Sequence, residues 1–236
     1  MNTGAAGCCY EAENRDRTGG GENKTGAMKV IGLTGPSGAG KTTVLHVFAA
    51  LGTATVDADA VYHALLSSDG ALLEAVRERF PAAFLSARGT AAAQTPPRGA
   101  LDRKALGRIV FQDADALLDL ERITHPAVLA ETARRLEIAR KAGARAAVVD
   151  AIALFQSGLD AVCDVTVGVL ADRDTRAARI VARDGITLDY AFARINAQPD
   201  DAYYQKHCDY ILHNNQDGGE HLAARAKQLY CQMLEA

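Results

Sequence analysis

The stretch Ile31-Gly32-Leu33-Thr34-Gly35-Pro36-Ser37-Gly38-Ala39-Gly40-Lys41-Thr42-Thr43 constrains this chain more than any other. It fits G-x-x-x-x-G-K-[ST] through Gly35, Gly40, Lys41 and Thr42. The apolar run before it (Val30, Ile31, Leu33) reads as a buried strand. After it, Val44, Val47, Phe48 and Leu51 recur at helical spacing. Strand, glycine-rich loop and helix start together make a phosphate site. The glycines let successive N–H groups converge on phosphate oxygens, and the helix start adds unpaired donors and the positive end of its dipole. Gly35, Pro36, Ser37, Gly38, Ala39, Gly40, Lys41, Thr42 and Thr43 are therefore the expected nucleotide-binding segment. Lys41 is placed to reach the β- and γ-phosphates of ATP, and the Thr42 hydroxyl to ligate Mg²⁺.

The rest of the composition narrows the class. A chain of 236 residues accommodates one α/β domain with insertions. A net charge of −3 without a basic stripe argues against a nucleic-acid partner. No apolar run approaches the ~20 residues of a membrane helix, and the N-terminus lacks the layout of a signal peptide. The five cysteines (Cys8, Cys9, Cys163, Cys208, Cys231) contain no C-x-x-C pair and fit a reducing cytosol, so a cytoplasmic location is expected. His46, His63, His125, His207, His213 and His221 show no metal-ligand spacing.

Along the chain, residues 1–27 offer almost nothing to bury and are expected to be disordered, with the domain itself occupying 28–236. Ala54-Thr55-Val56 is a short strand ending in Asp57-Ala58-Asp59, where ligands of open α/β sheets lie. Asp57 suits a helix cap, which leaves Asp59 for chemistry. Residues 71–84 read as a helix closing at Pro81, and Ser86–Gly99, with Pro96-Pro97, as a surface loop. Asp102 is the expected N-cap of the next helix. A long helical region over about 113–142 contains His125-Pro126, where a break or kink is expected. Ala146 to Asp150 is a second buried strand that ends in a carboxylate, suited either to Mg²⁺ or to a cap. Val165 to Leu170 is another strand. The helix after it carries Arg176, Arg179 and Arg183 on one face, either a solvated charged face or a clamp on transferring phosphate. A short helix to Gln198-Pro199, a last strand at Asp209–Leu212 and an amphipathic final helix complete the chain.

From Met28 to about Asn215 the chain resembles the dephospho-CoA kinase family. The tags are Gly-Leu-Thr-Gly at 32–35, Asp57-Ala58-Asp59, Gly99-x-Leu101-Asp102-Arg103, Val110-Phe111, His125-Pro126 and Val148-Val149-Asp150. They continue with Leu154-Phe155-x-x-Gly158-Leu159, Arg183-Asp184-Gly185, Arg194-Ile195-x-x-Gln198 and Asp209-Tyr210-Ile211. The resemblance implies an α/β, three-layer P-loop NTPase fold with a central parallel sheet. It also implies a helical CoA-binding insertion at about 60–125 and a lid at about 179–207. The implied activity is ATP- and Mg²⁺-dependent phosphorylation of the ribose 3′-hydroxyl of dephospho-CoA, a small-molecule substrate. Asp59 matches the general base, Lys41 and Thr42 the ATP and Mg²⁺ contacts, and Arg179 and Arg183 the lid arginines; Asp150 joins Thr42 as a candidate metal ligand. Pro36-Ser37 stands where the family has Gly-Ile, and Ala151-Ile152-Ala153-Leu154-Phe155-Gln156 where it has Ile-Pro-Leu-Leu-Phe-Glu. Two alternatives differ in class: another small-molecule kinase of uridine-kinase type, and a nucleotide- or CoA-binding regulator without catalysis.

Overall fold

Alternation of apolar residues along the strands sets the layers. In β1 (Lys29–Thr34), Ile31 and Leu33 point to one side of a five-stranded sheet and Val30 to the other. Residues 28–84, 100–215 and 219–235 are described by the structure, a computed structural model. The expected disorder of residues 1–27 and the expected loop at Ser86–Gly99 fall outside these residues.

The remaining strands are β2 (Ala54–Asp57), β3 (Ala146–Asp150), β4 (Val165–Leu170) and β5 (Tyr210–His213). They run parallel in the order β2-β3-β1-β4-β5. Helix α1 (Lys41–Ala50) and α9 (Gly219–Glu235) cover the Ile31/Leu33 side through Val44, Phe48, Leu222, Leu229 and Met233. Helices α2 (Ala58–Ser68) and α5 (Ala114–Lys141) cover the other side through Val61, Val128 and Leu136. The result is three layers, α/β/α, as expected. The chain moves from β1 towards β2 on one side and later crosses to β4 on the other. The loop after β1 therefore emerges where strand order reverses, the crevice in which open α/β sheets bind ligands.

Beyond the sheet, α2, α3 (Gly70–Arg79), a 3₁₀ turn at Pro81–Phe84, α4 (Arg103–Gln112) and the first half of α5 bury a cluster of their own, including Leu72, Val76, Phe80, Leu106, Val110 and Leu120. Aspartates start these helices: Asp69, Asp102 and Asp113 each accept backbone N–H bonds of the first turn. On the far side, α6 (Arg173–Asp184) ends at Gly185 in the left-handed region and packs on α7 (Leu188–Asn196) through Ala177, Ile180, Ala191 and Ile195; α8 (Asp201–His207) follows.

Of the break or kink expected at Pro126, the break is corrected. Helix α5 runs unbroken from Ala114 to Lys141 with Pro126 inside it. The missing N–H and ring clash cost about 3 kcal/mol or more. Leu120, Val128 and Leu136 on the same helix are all buried, and each such side chain contributes roughly 1.5–3 kcal/mol. Packing against two apolar clusters outweighs the proline. Among the described residues no helix is long and apolar enough to cross a membrane.

Candidate active site

The site is built from the C-terminal ends of adjacent strands. The loop that leaves β1 at Thr34 turns through glycines at positive φ, Gly38 (+81°) and Gly40 (+102°), before α1 begins at Lys41. Neither position tolerates a side chain: a Cβ on Gly38 would lie 2.7 Å from the Arg176 carbonyl, and one on Gly40 would collide with Asn214 Nδ2. Gly35, Pro36, Ser37, Gly38, Gly40, Lys41 and Thr42 line an open cleft of about 280 Å³ together with Ile152, Arg179 and Arg183. Most of the predicted nucleotide-binding residues are thus brought to one cleft, along with both predicted lid arginines. Ala39 lies beneath it, fully buried.

Three carboxylates gather at the cleft's edge because β2 and β3 are in register there, Asp57 beside Asp150. Asp57 caps α2: its Oδ1 accepts the Ala60 N–H at 2.9 Å. Asp59 lies in the first turn of α2, exposed, with no hydrogen bond or ion pair to another described residue. The Asp57 cap is the one read from the sequence. Asp150 forms an ion pair with the Lys41 ammonium across 109 positions of sequence, so it is not a cap. Burial pushes the Asp150 carboxyl above the usual carboxylate range. Lys41 opposes that shift, and the negative charges of Asp57 and Asp59 add to it. The loop lysine is thus neutralised from the same side on which the carboxylates cluster.

The arginines of α6 separate into different roles. The reading of this face as solvated is corrected for Arg176, which is only 4% exposed and donates to the Ser37 carbonyl at 3.0 Å and to Gln198 Oε1 at 3.1 Å. Arg179 donates to the carbonyls of Gly38 (3.3 Å) and Asn214 (3.2 Å). Arg183 reaches the cleft rim, where it pairs with Asp184, and Arg194 grips the same carboxylate at 2.6 Å. Those two guanidinium groups hold the Asp184 carboxyl at about 2.

Sequence reasoning missed Asn214, whose Nδ2 donates to the Ala39 carbonyl, and gave no role to Gln198. A polar residue just past a buried strand end was the available signal for Asn214. The segment after Asp150 is held by hydrogen bonds of its own. Ser157 N–H and Oγ both donate to the Ala153 carbonyl, at 2.9 and 2.7 Å, and Leu159 N–H donates to Leu154. The Ile152 carbonyl accepts from the Thr34 hydroxyl at 3.1 Å.

Against this geometry stand the known proteins. A family model described as dephospho-CoA kinase matches residues 29–220. The dephospho-CoA kinase of Symbiobacterium thermophilum is 38% identical over 187 residues, spanning 79% of this chain and 74% of that one. The dephospho-CoA kinase of Corynebacterium efficiens is 35% identical over 207 residues, spanning 88% of this chain and 98% of that one. Among solved structures, TT1252 from Thermus thermophilus superposes with a TM-score of 0.69 at 27% identity, covering 87% of this chain and 97% of that one.

Proposed function

Because the chain belongs to the dephospho-CoA kinase family, and so is a kinase that phosphorylates dephospho-CoA with ATP, we propose that Asp59 is the base acting on the ribose 3′-hydroxyl. The observation that carries this reading is the contrast between the two aspartates that follow β2. Asp57 is committed to capping, whereas Asp59 is exposed and uncommitted at the edge where Lys41 stands.

A ribose hydroxyl is a weak nucleophile. A carboxylate within hydrogen-bond reach accepts its proton as the bond to phosphorus forms, and this needs no strongly shifted carboxyl when the proton leaves late. The N–H groups of the loop and the start of α1 bind the ATP phosphates. Lys41, released from Asp150 when phosphate arrives, stabilises charge on the β- and γ-phosphates. Arg179 and Arg183 face the same cleft from α6 and bear on the equatorial oxygens of the transferring group. The Thr42 hydroxyl and the Asp150 carboxylate are hard oxygen donors of the kind Mg²⁺ prefers, and they would hold it. Bound there, Mg²⁺ would neutralise negative charge on the phosphates. The separate cluster of α2–α5 beside Asp59 is the part we assign to dephospho-CoA, and the segment from the end of α6 through α8 is the lid.

The test is ADP release from Mg²⁺-ATP with dephospho-CoA, with uridine and with no acceptor, followed by NMR location of the new phosphate. ADP formed with dephospho-CoA alone, and phosphate on the 3′-oxygen, is the expected result. Phosphate at another hydroxyl would remove Asp59 from the position assigned to it, and equal turnover of uridine would displace the acceptor assignment.

A further inference from the structure

The outer edge of the phosphate loop is held carbonyl by carbonyl. Arg176 Nε donates to the Ser37 carbonyl (3.0 Å), Arg179 Nη1 to that of Gly38 (3.3 Å) and Asn214 Nδ2 to that of Ala39 (2.8 Å). In a planar trans peptide the C=O and the following N–H point in opposite directions. The N–H groups of Gly38, Ala39 and Gly40 therefore point away from Arg176, Arg179 and Asn214 respectively. Ala39 N–H closes a turn onto the Pro36 carbonyl (3.2 Å), so those of Gly38 and Gly40 are directed at the cleft both residues line.

Ser37 is gripped most completely. Gln198 Oε1 accepts its N–H (3.1 Å), Gln198 Nε2 donates to its Oγ (3.1 Å), and Arg176 takes its carbonyl. The second arm of Arg176 fixes Gln198 itself (Nη2 to Oε1, 3.1 Å). A guanidinium buried this far is costly unless its donors find partners, and here a loop carbonyl and a side-chain amide take two of the five. Its nearest carboxylate, Asp201, is 3.9 Å away and about half exposed.

We propose that Arg176 and Gln198 are positioning residues for the ATP phosphates. Through Ser37 they set the peptide orientations of the loop and tie its shape to the end of α7. The Ser37 N–H is occupied by Gln198, so the donors offered to phosphate begin at Gly38. The inference rests on the reading that this loop holds ATP.

The test is calorimetric titration of the full chain, separately with ATP and with dephospho-CoA, in wild type, Gln198→Ala and Arg176→Lys, with melting temperatures measured alongside. Lysine keeps the charge but cannot span Ser37 and Gln198 at once. Both variants are expected to weaken ATP about tenfold, which is about 1.4 kcal/mol, while dephospho-CoA affinity stays within twofold. KM for ATP should rise more than kcat falls. The double variant should lose little beyond the worse single one, because both act through Ser37. Gln198→Ala with wild-type melting and unchanged ATP affinity would overturn the proposal, and so would equal loss of both ligands. A wild-type protein that fails to bind ATP would overturn the kinase reading itself and this inference with it.

Discussion

Replacing Lys41 with alanine should damage two separable things, and the Lys41–Asp150 pair allows the separation to be measured. The two side chains retain only 16% and 13% of their exposure, and burial already raises the Asp150 carboxyl despite the ammonium beside it. Removing one partner of a buried pair costs about 3–5 kcal/mol; some water contact remains here, so the lower end, about 3 kcal/mol, applies. For a chain of this size that corresponds to a melting temperature lowered by roughly 6–12 °C. Lys41→Ala/Asp150→Asn, which leaves no charge to desolvate, should recover most of the loss. It should not recover turnover, which falls by about 10² or more once the phosphate-facing cation is gone.

The pH dependence of that variant has a definite sign. With the folded-state Asp150 pKa above its unfolded value, the folded protein binds more protons, so stability falls as pH rises through that window and is regained on acidification. Lys41→Ala removes the opposing charge and widens the window, so its deficit at pH 8 should exceed its deficit at pH 5. Melting curves of the single and double variants at both pH values are the assay. A Lys41→Ala protein that melts within 2 °C of wild type at pH 8, or a double variant no more stable than the single one, would refute the reasoning.

Gly40→Ala should destabilise the loop outright. It puts a side chain at φ +102°, at a cost of about 1–2 kcal/mol. It also drives Asn214 from the buried Ala39 carbonyl, at about 1–3 kcal/mol more; wild-type thermal stability in this variant would contradict the geometry. Arg183→Ala should lower kcat roughly 10- to 10²-fold with ATP affinity nearly unchanged. That is less than a buried donor would cost, because Arg183 is largely exposed and shared with Asp184. A rise in KM alone would make it a residue that positions substrate.

Much of this was readable in the residues because it is local. The strand–loop–helix of the phosphate site, the Asp57 cap and the Gly185 stop are each fixed within a few positions, and β1, β3 and β4 declare themselves as apolar runs. What could not be read depends on packing between distant segments. Helical spacing places Arg176, Arg179 and Arg183 on one face but cannot say that the loop comes to lie over its first turns, burying Arg176. Asp150 shows as a carboxylate at a strand end, whereas its pairing with Lys41 requires β3 to sit beside β1. Pro126 predicts a break from local chemistry, and the two apolar clusters that α5 spans override it.

The account turns on Asp59, and single-turnover phosphoryl transfer by Asp59→Asn, with ATP binding measured on the same preparation, tests it most directly. The account predicts a transfer rate lower by about 10²–10⁴ with ATP affinity within twofold of wild type. A transfer rate near that of wild type would contradict it, and the proton of the ribose hydroxyl would then have to leave by another route.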